Sequence, residues 1–168
     1  MGGRNIFHLE ARSARRIAAF ASTALGAMAL DTSMATAEWF SAERPPNSIL
    51  VYTADRDGAG AVLSVECKGG ETSVTIHWPQ RLAGHYAQVV TYTIDSQRPR
   101  SEQWRLSTDQ LSVGVWGRNA IPLALRLVGK NKLTIRATSV RGLLATAQFD
   151  ISGLDRAVTR VAEVCRWR

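Results

Sequence analysis

The sequence predicts a mainly β fold: an antiparallel β-sandwich or open barrel with one internal helix and a C-terminal helix. Three observations carry this expectation. Apolar and polar residues alternate in five separate runs, the period of a strand with one buried face. Two of these runs are joined by a Gly-Gly turn, the punctuation of a hairpin. Only two segments switch to helical spacing.

The first run places Leu63, Val65 and Cys67 on one face and Ser64 and Glu66 on the other. Gly69-Gly70 turns the chain, and Val74, Ile76 and Trp78 then alternate with Thr75 and His77. Next, Val90, Tyr92 and Ile94 alternate with Thr91, Thr93 and Asp95. Leu133, Ile135 and Ala137 alternate with Thr134, Arg136 and Thr138, and Ala147, Phe149 and Ile151 with Gln148 and Asp150. One apolar and one polar face per strand is the pattern of an antiparallel sheet wetted on one side. Residues 38–48 read as irregular, because Pro45-Pro46-Asn47 interrupts regular structure.

The internal helix is expected over residues 119–130. Ile121, Ala124, Leu125 and Val128 form its apolar stripe, Asn119 its N-cap and Gly129 its stop. Pro122 falls in the first turn, where a missing N–H costs nothing. The second helix is expected over 153–166, with Ser152 as cap and Asp155 closing an acidic capping box. Its apolar stripe is Leu154, Ala157, Val158, Val161 and Cys165, while Arg156, Arg160 and Glu163 face water.

The N-terminal region reads as a secretory signal. Arg4, Arg12, Arg15 and Arg16 precede an uncharged stretch at 17–30, and Ala35-Thr36-Ala37 offers a small-x-small cleavage site before Glu38. Residues 1–37 are therefore expected to be a signal peptide, cut between Ala37 and Glu38, and residues 38–168 a single exported β domain. The apolar stretch is 14 residues, shorter than the roughly 20 a spanning helix needs; an uncleaved anchor is the alternative. Ala18 and Ala19 stand where a twin-arginine signal has bulkier residues, which favours general secretion. No later run could span a membrane as a helix, so no transmembrane span is expected after cleavage, and the location is periplasmic or secreted.

Four arginines and two acids belong to the leader. The remaining 131 residues hold 17 basic and 12 acidic side chains, a net charge of +5. That length can bury a real core. Export and scattered arginines argue against nucleic acid as a partner. Anionic partners outside the cytoplasm, such as lipid head groups or acidic cell-wall polymers, remain open. Cys67 and Cys165 are the two cysteines; in an oxidising compartment they are expected to form one disulfide. Both are read as facing the core, and two buried free thiols are the alternative.

The residues offer little chemistry. His77 and His85 are the two histidines beyond the leader, with no zinc-ligand spacing around them. Asp55-Arg56-Asp57-Gly58 resembles the opening of a calcium loop but lacks the later ligands and closing Glu; a surface turn is expected. No nucleophile elbow or phosphate loop occurs. Asp95, Glu102 and Asp109 are the carboxylates that a glycoside-hydrolysing pair would draw on. Trp78, Trp104, Trp116 and Trp167 read as core, with one or two as exposed anchors. No metal, cofactor or catalytic residue is expected.

Ordered blocks carry a resemblance. Cys67 is followed by Val74-Thr75-Ile76-His77-Trp78, Val90-Thr91-Tyr92-Thr93-Ile94-Asp95 and Trp104-Arg105-Leu106-Ser107-Thr108-Asp109. Ala120-Ile121-Pro122-Leu123, Lys132-Leu133-Thr134-Ile135-Arg136, Ala147-Gln148-Phe149-Asp150-Ile151-Ser152-Gly153-Leu154 and Cys165-Arg166-Trp167 complete the series. From Cys67 to Trp167 the chain resembles the VasI family, also called TagO, of type VI secretion-associated proteins. Two places depart from that family's pattern: Pro45-Pro46 stands where an acidic pair is expected, and Val140-Arg141-Gly142 lacks a Pro-aromatic turn. The resemblance implies an exported, non-enzymatic accessory of type VI secretion, with an envelope component of that apparatus as partner and no catalytic residues. The alternative is a periplasmic inhibitor or binding module for a cell-wall hydrolase or other envelope component; an enzyme acting on peptidoglycan comes third.

Overall fold

Period-2 alternation becomes a single antiparallel sheet in the computed structural model, which describes residues 37–44 and 48–167. Apart from Ala37, the predicted signal peptide lies outside the described residues. Among these residues nine strands pair: β1 (Phe40–Arg44), β2 (Ser48–Ala54), β3 (Val62–Lys68), β4 (Glu71–His77), β5 (Ala87–Ile94), β6 (Arg100–Leu106), β7 (Ser112–Trp116), β8 (Lys132–Thr138) and β9 (Leu144–Asp150). Their order is β1-β2-β3-β4-β7-β6-β5-β8-β9. The expected β3–β4 hairpin turns at Gly69-Gly70, pairing Cys67 with Thr72. All five alternating runs put their apolar members inside: Leu63, Val65, Ile76, Val90, Tyr92, Leu133, Ile135 and Phe149 are buried. Each large side chain removed from water in this way stabilises the fold by about 1.5–3 kcal/mol.

The sheet is an open barrel. It curls until the β2–β3 loop reaches β9, where the Arg56 N–H donates to Gln148 O at 2.8 Å. Arg56 also pairs with Asp150 at 3.4 Å. Among the described residues no ladder joins β9 to β1 or β2. Trp39 tightens the seam by donating its indole N–H to Ser152 O at 3.0 Å.

Four strands are not marked by alternation. β1 runs through part of the segment expected to be irregular; it is an edge strand held by its ladder to β2 and by Phe40 stacked on Tyr52, centroids 5.4 Å apart. β2 reads Ser-Ile-Leu-Val-Tyr-Thr-Ala, apolar on both faces, because its outer residues pack against β1 and β3 partners. β6 is polar along its length and buries only Trp104. β7 is five residues long and built around Gly114, where a Cβ would collide with the β4 backbone.

α1 (Ala120–Leu127) corrects the internal helix in two respects. Asn119 stands at the expected N-cap position, but it closes a 3-10 turn at Gly117–Asn119, is itself helical and makes no side-chain cap bond. Its buried face is Ala120, Leu123, Ala124 and Leu127, whereas the expected stripe member Leu125 is 53% exposed. The helix is apolar on more than one side, so spacing alone does not choose the face; contact with β4 and β7 does. Gly129 ends the segment at φ 71°, the left-handed conformation glycine accepts freely.

The C-terminal helix divides into α2 (Leu154–Ala157) and α3 (Thr159–Val164). Its stripe is as expected, with Leu154, Val158 and Val161 buried. The capping box does not form. Asp150 draws the Ser152 hydroxyl back to itself at 2.6 Å, and Gly153 takes the cap position at φ 77°.

The loops gather at two ends of the sheet. At one, here the turn end, lie the Gly69-Gly70 turn, the β5–β6 turn and the α1–β8 connection. At the other, the loop end, lie segments 78–86, 107–111 and 139–143. The first of these bonds to the other two: Leu82 N–H to Gln110 O at 2.9 Å, Ala83 N–H to Thr138 O at 2.7 Å and Val140 N–H to Arg81 O at 3.1 Å.

Candidate functional site

The titratable residues singled out in the sequence do not converge. His77 is exposed on β4, its Nδ1 3.1 Å from Ser112 Oγ, and His85 is exposed in the 78–86 loop. Among the described residues no cluster of three or more His, Cys, Asp or Glu is placed to hold a metal ion. Asp55 is the organiser of a turn: its carboxylate accepts the N–H groups of Asp57, Ala59 and Ala61.

The three candidate carboxylates are equally local. Asp95 caps the turn end, accepting the N–H groups of Asn131 and Lys132 at 3.0 and 2.9 Å. Asp109 belongs to the loop end, where Ser107 Oγ donates to it at 2.5 Å and Leu111 N–H at 3.0 Å. That hydroxyl bond, seconded by the backbone bond, holds the Asp109 carboxyl below its usual range. The length of the β5–β7 strands separates these two acids.

Glu102 lies between them on the inner face of β6. It accepts the Tyr92 hydroxyl at 2.6 Å and Arg126 Nη1 from α1 at 3.3 Å. Partial burial raises its pKa, but the bonds from Tyr92 and Arg126 outweigh that and leave it below the usual carboxylate value. Tyr92 is pushed up from 10.0 to about 12, first by burial and then by its bond to the Glu102 carboxylate. The guanidinium of Arg126 also sits 5.8 Å from the Tyr92 ring centroid, within cation–π range. This trio clamps α1 to the sheet.

Trp78 and Trp104 are core residues, 1% and 2% exposed. Trp116 is half-buried beneath the Arg105 guanidinium, 5.6 Å from its ring centroid. Trp167 is half-buried and donates its indole N–H to Thr72 Oγ1 at 2.8 Å. Beside it, Cys67 and Cys165 form a disulfide with Cα atoms 5.7 Å apart. At the predicted cleavage junction, the Ala37 N–H donates to Ser152 Oγ at 3.0 Å, and Glu38 is exposed.

Two surfaces could receive a partner. A groove of about 480 Å³ separates β1 and β2 from α2 and α3, lined by Trp39, Phe40, Ile49, Val51, Arg156 and Arg160. Arg160 is already paired, at 2.7 Å with Glu163 and 4.0 Å with Glu43. The second surface is the loop end. Tyr86, Val89, Val140, Leu143 and Leu144 are between 56% and 87% exposed there. These residues escape the sequence reading because it follows buried alternation. Their signal is apolar character out of phase with it: Val89 precedes Val90, and Leu143-Leu144 directly follows the Gly142 turn. Large exposed apolar patches mark protein or membrane interaction sites or ligand-binding grooves.

The model of the family described as "Type VI secretion system VasI, EvfG" matches residues 9–167. No curated protein matches the chain. Among solved structures, the chain resembles the crystal structure of invasion associated protein b from Bartonella henselae at 11% identity. That likeness has a TM-score of 0.55 and covers 78% of this chain and 96% of the other. At that identity it reports the fold alone.

Proposed function

Because the chain belongs to the VasI family of type VI secretion proteins, we propose that it is an exported, non-enzymatic accessory of the type VI apparatus. It acts in the cell envelope by binding another envelope component. The family match over 9–167 is the observation that carries this reading. The Cys67–Cys165 disulfide supports an oxidising compartment. None of the helices among the described residues is long and apolar enough to cross a membrane, which fits a protein freed from its signal peptide by cleavage between Ala37 and Glu38.

Support for a binding role comes from the carboxylates. Asp95, Glu102 and Asp109 are each engaged in a local structural task, and the exposed features are apolar patches and a groove.

Deleting the gene in its native host should abolish or strongly reduce secretion of the apparatus's tube protein and killing of neighbouring cells. The full chain should restore both, and a version lacking residues 2–37 should not. Unchanged secretion in the deletion strain removes the type VI role. Loss of a cell-wall hydrolase's activity on mixing with the purified protein would then support the inhibitor reading in its place.

A further inference from the structure

We propose that the loop end of the domain docks on an anionic phospholipid surface, inserting the 139–143 hairpin tip between head groups. The proposal does not depend on the secretion apparatus and goes beyond the accessory role. Three features of this end argue for it.

The first is the character of the exposed side chains. Val140 and Leu143 lie on the hairpin turn itself, Leu144 opens β9, and Val89 lies on the outer face of β5. Tyr86, 87% exposed, stands on the adjoining loop. In the register of β8 with β9 Leu144 lies opposite Thr138, and the ladder of β5 with β8 ends at Thr91 opposite Arg136, two residues from Val89 on the same outer face. Exposed aliphatic residues on this turn, with an exposed tyrosine on the loop bonded to it, match the apolar-to-polar gradient of a bilayer interface.

The second is charge. Residues 78–94 and 133–149 contain Arg81, Arg136 and Arg141 and not one Asp or Glu. All three arginines are exposed. The carboxylates at this end lie on other loops: Asp109, bonded to Ser107 and Leu111, and Asp55 and Asp57 beside Arg56 on the β2–β3 loop, so the three arginines stand together on the 78–94 and 133–149 side. Basic side chains around an apolar tip draw it to negative head groups and let the guanidinium heads remain in the polar layer.

The third is the backbone. Entering a medium poor in water requires that main-chain groups already have partners. At the tip, Ser139 N–H donates to Leu143 O at 2.8 Å, Gly142 N–H to Ser139 O at 2.9 Å, and Val140 N–H to Arg81 O at 3.1 Å. Three of the five main-chain N–H groups of 139–143 are thus already engaged, which lowers the cost of taking this turn out of water.

The test is co-sedimentation of the exported protein with vesicles of mixed phosphatidylglycerol and phosphatidylcholine, and with phosphatidylcholine vesicles alone. Wild type should bind the anionic vesicles at least tenfold more tightly than the neutral ones, and binding should weaken as salt rises. Arg81→Glu/Arg141→Glu should remove that preference. Leu143→Glu/Leu144→Glu should reduce binding at least tenfold; Leu143→Ser/Leu144→Ser replaces it if the charged pair impairs folding. All variants share one N-terminal region, so differences between them read the tip. Wild type that ignores anionic vesicles overturns the proposal, as do tip variants that bind like wild type. A photoreactive side chain at position 143 that crosslinks in cells to an acidic protein and not to lipid assigns the face to a protein and also overturns it. Loss of vesicle binding with secretion intact separates this proposal from the type VI role.

Discussion

The turn end and the loop end of the same sheet deal with apolar surface in opposite ways. At the turn end the chain returns from far away to cover the β3–β4 hairpin. Cys165 bonds Cys67 across 98 residues of sequence, and two residues later Trp167 reaches Thr72. At the loop end the backbone is tied together just as well, by bonds among the 78–86, 107–111 and 139–143 segments. Yet Tyr86, Val140, Leu143 and Leu144 are left in solvent. Long-range staples stabilise where the chain's own residues complete the surface, whereas apolar residues left uncovered on a rigid frame suit an external partner.

The comparison breaks most severely if the shared core fails. Phe149 is fully buried on β9 opposite Leu133. Phe149→Ala should lower stability by about 3–5 kcal/mol through lost burial and the cavity left behind, read as a fall in the denaturant midpoint. A smaller loss would mean that the seam side of the barrel is loosely packed.

The staple comes next. Cys165→Ser should cost about 2–5 kcal/mol, because the unfolded chain regains the freedom of a long closed loop. Reduction of the wild-type protein should produce the same shift, and reduced Cys165→Ser should shift no further. An unchanged midpoint would show that Trp167 and α3 hold the tail by themselves.

The Tyr92–Glu102–Arg126 clamp lies between the two ends and should show in pH dependence. Tyr92 titrates higher in the folded state, at about 12 instead of 10.0. Its contribution is therefore complete below pH 10 and declines as pH rises towards about 12. Glu102 works in the opposite direction: its folded pKa is lowered, so its contribution is present at neutral pH and is lost as acid protonates it. With Glu102 37% exposed, solvent screening moderates the effect. Tyr92→Phe should cost about 1–2 kcal/mol at neutral pH and flatten the alkaline decline seen in urea titrations of wild type.

The smallest expected change sharpens the contrast. Leu143→Ser should alter stability by no more than about 0.5 kcal/mol, since an exposed side chain leaves no cavity. A large loss in thermal melting would place Leu143 in the core's service and remove the distinction between the two ends.

Legibility in the sequence followed the same division. Strands with one wet face announced themselves: the inward sets Leu63-Val65-Cys67 and Leu133-Ile135-Ala137 are buried as their alternation requires. β2 was hidden because both of its faces are apolar, and β6 because only Trp104 is buried along it. Spacing in α1 points as readily to Leu125 as to the buried face, since several of its sides are apolar and only the neighbouring strands select one. Ser152 looked like a helix cap, but Asp150 competes for its hydroxyl at 2.6 Å. Of the candidate site, the surface placement of the two histidines is readable in the sequence; the loop-end patch is not, because its members come from segments more than 50 residues apart.

By itself the sequence determined which residues of each alternating strand face inward and that two cysteines offer a single bridge. Those properties are local: period-2 patterning and a count of two need no knowledge of the rest of the chain. Tertiary structure alone decided the strand order, in which β4 neighbours β7 and β5 lies between β6 and β8. It also decided the seam at Arg56 and Trp39, the face of α1 and the gathering of exposed apolar residues at one end. Each of these depends on what lies across from a residue in space, and burial is a property of that opposing surface, which no local pattern encodes.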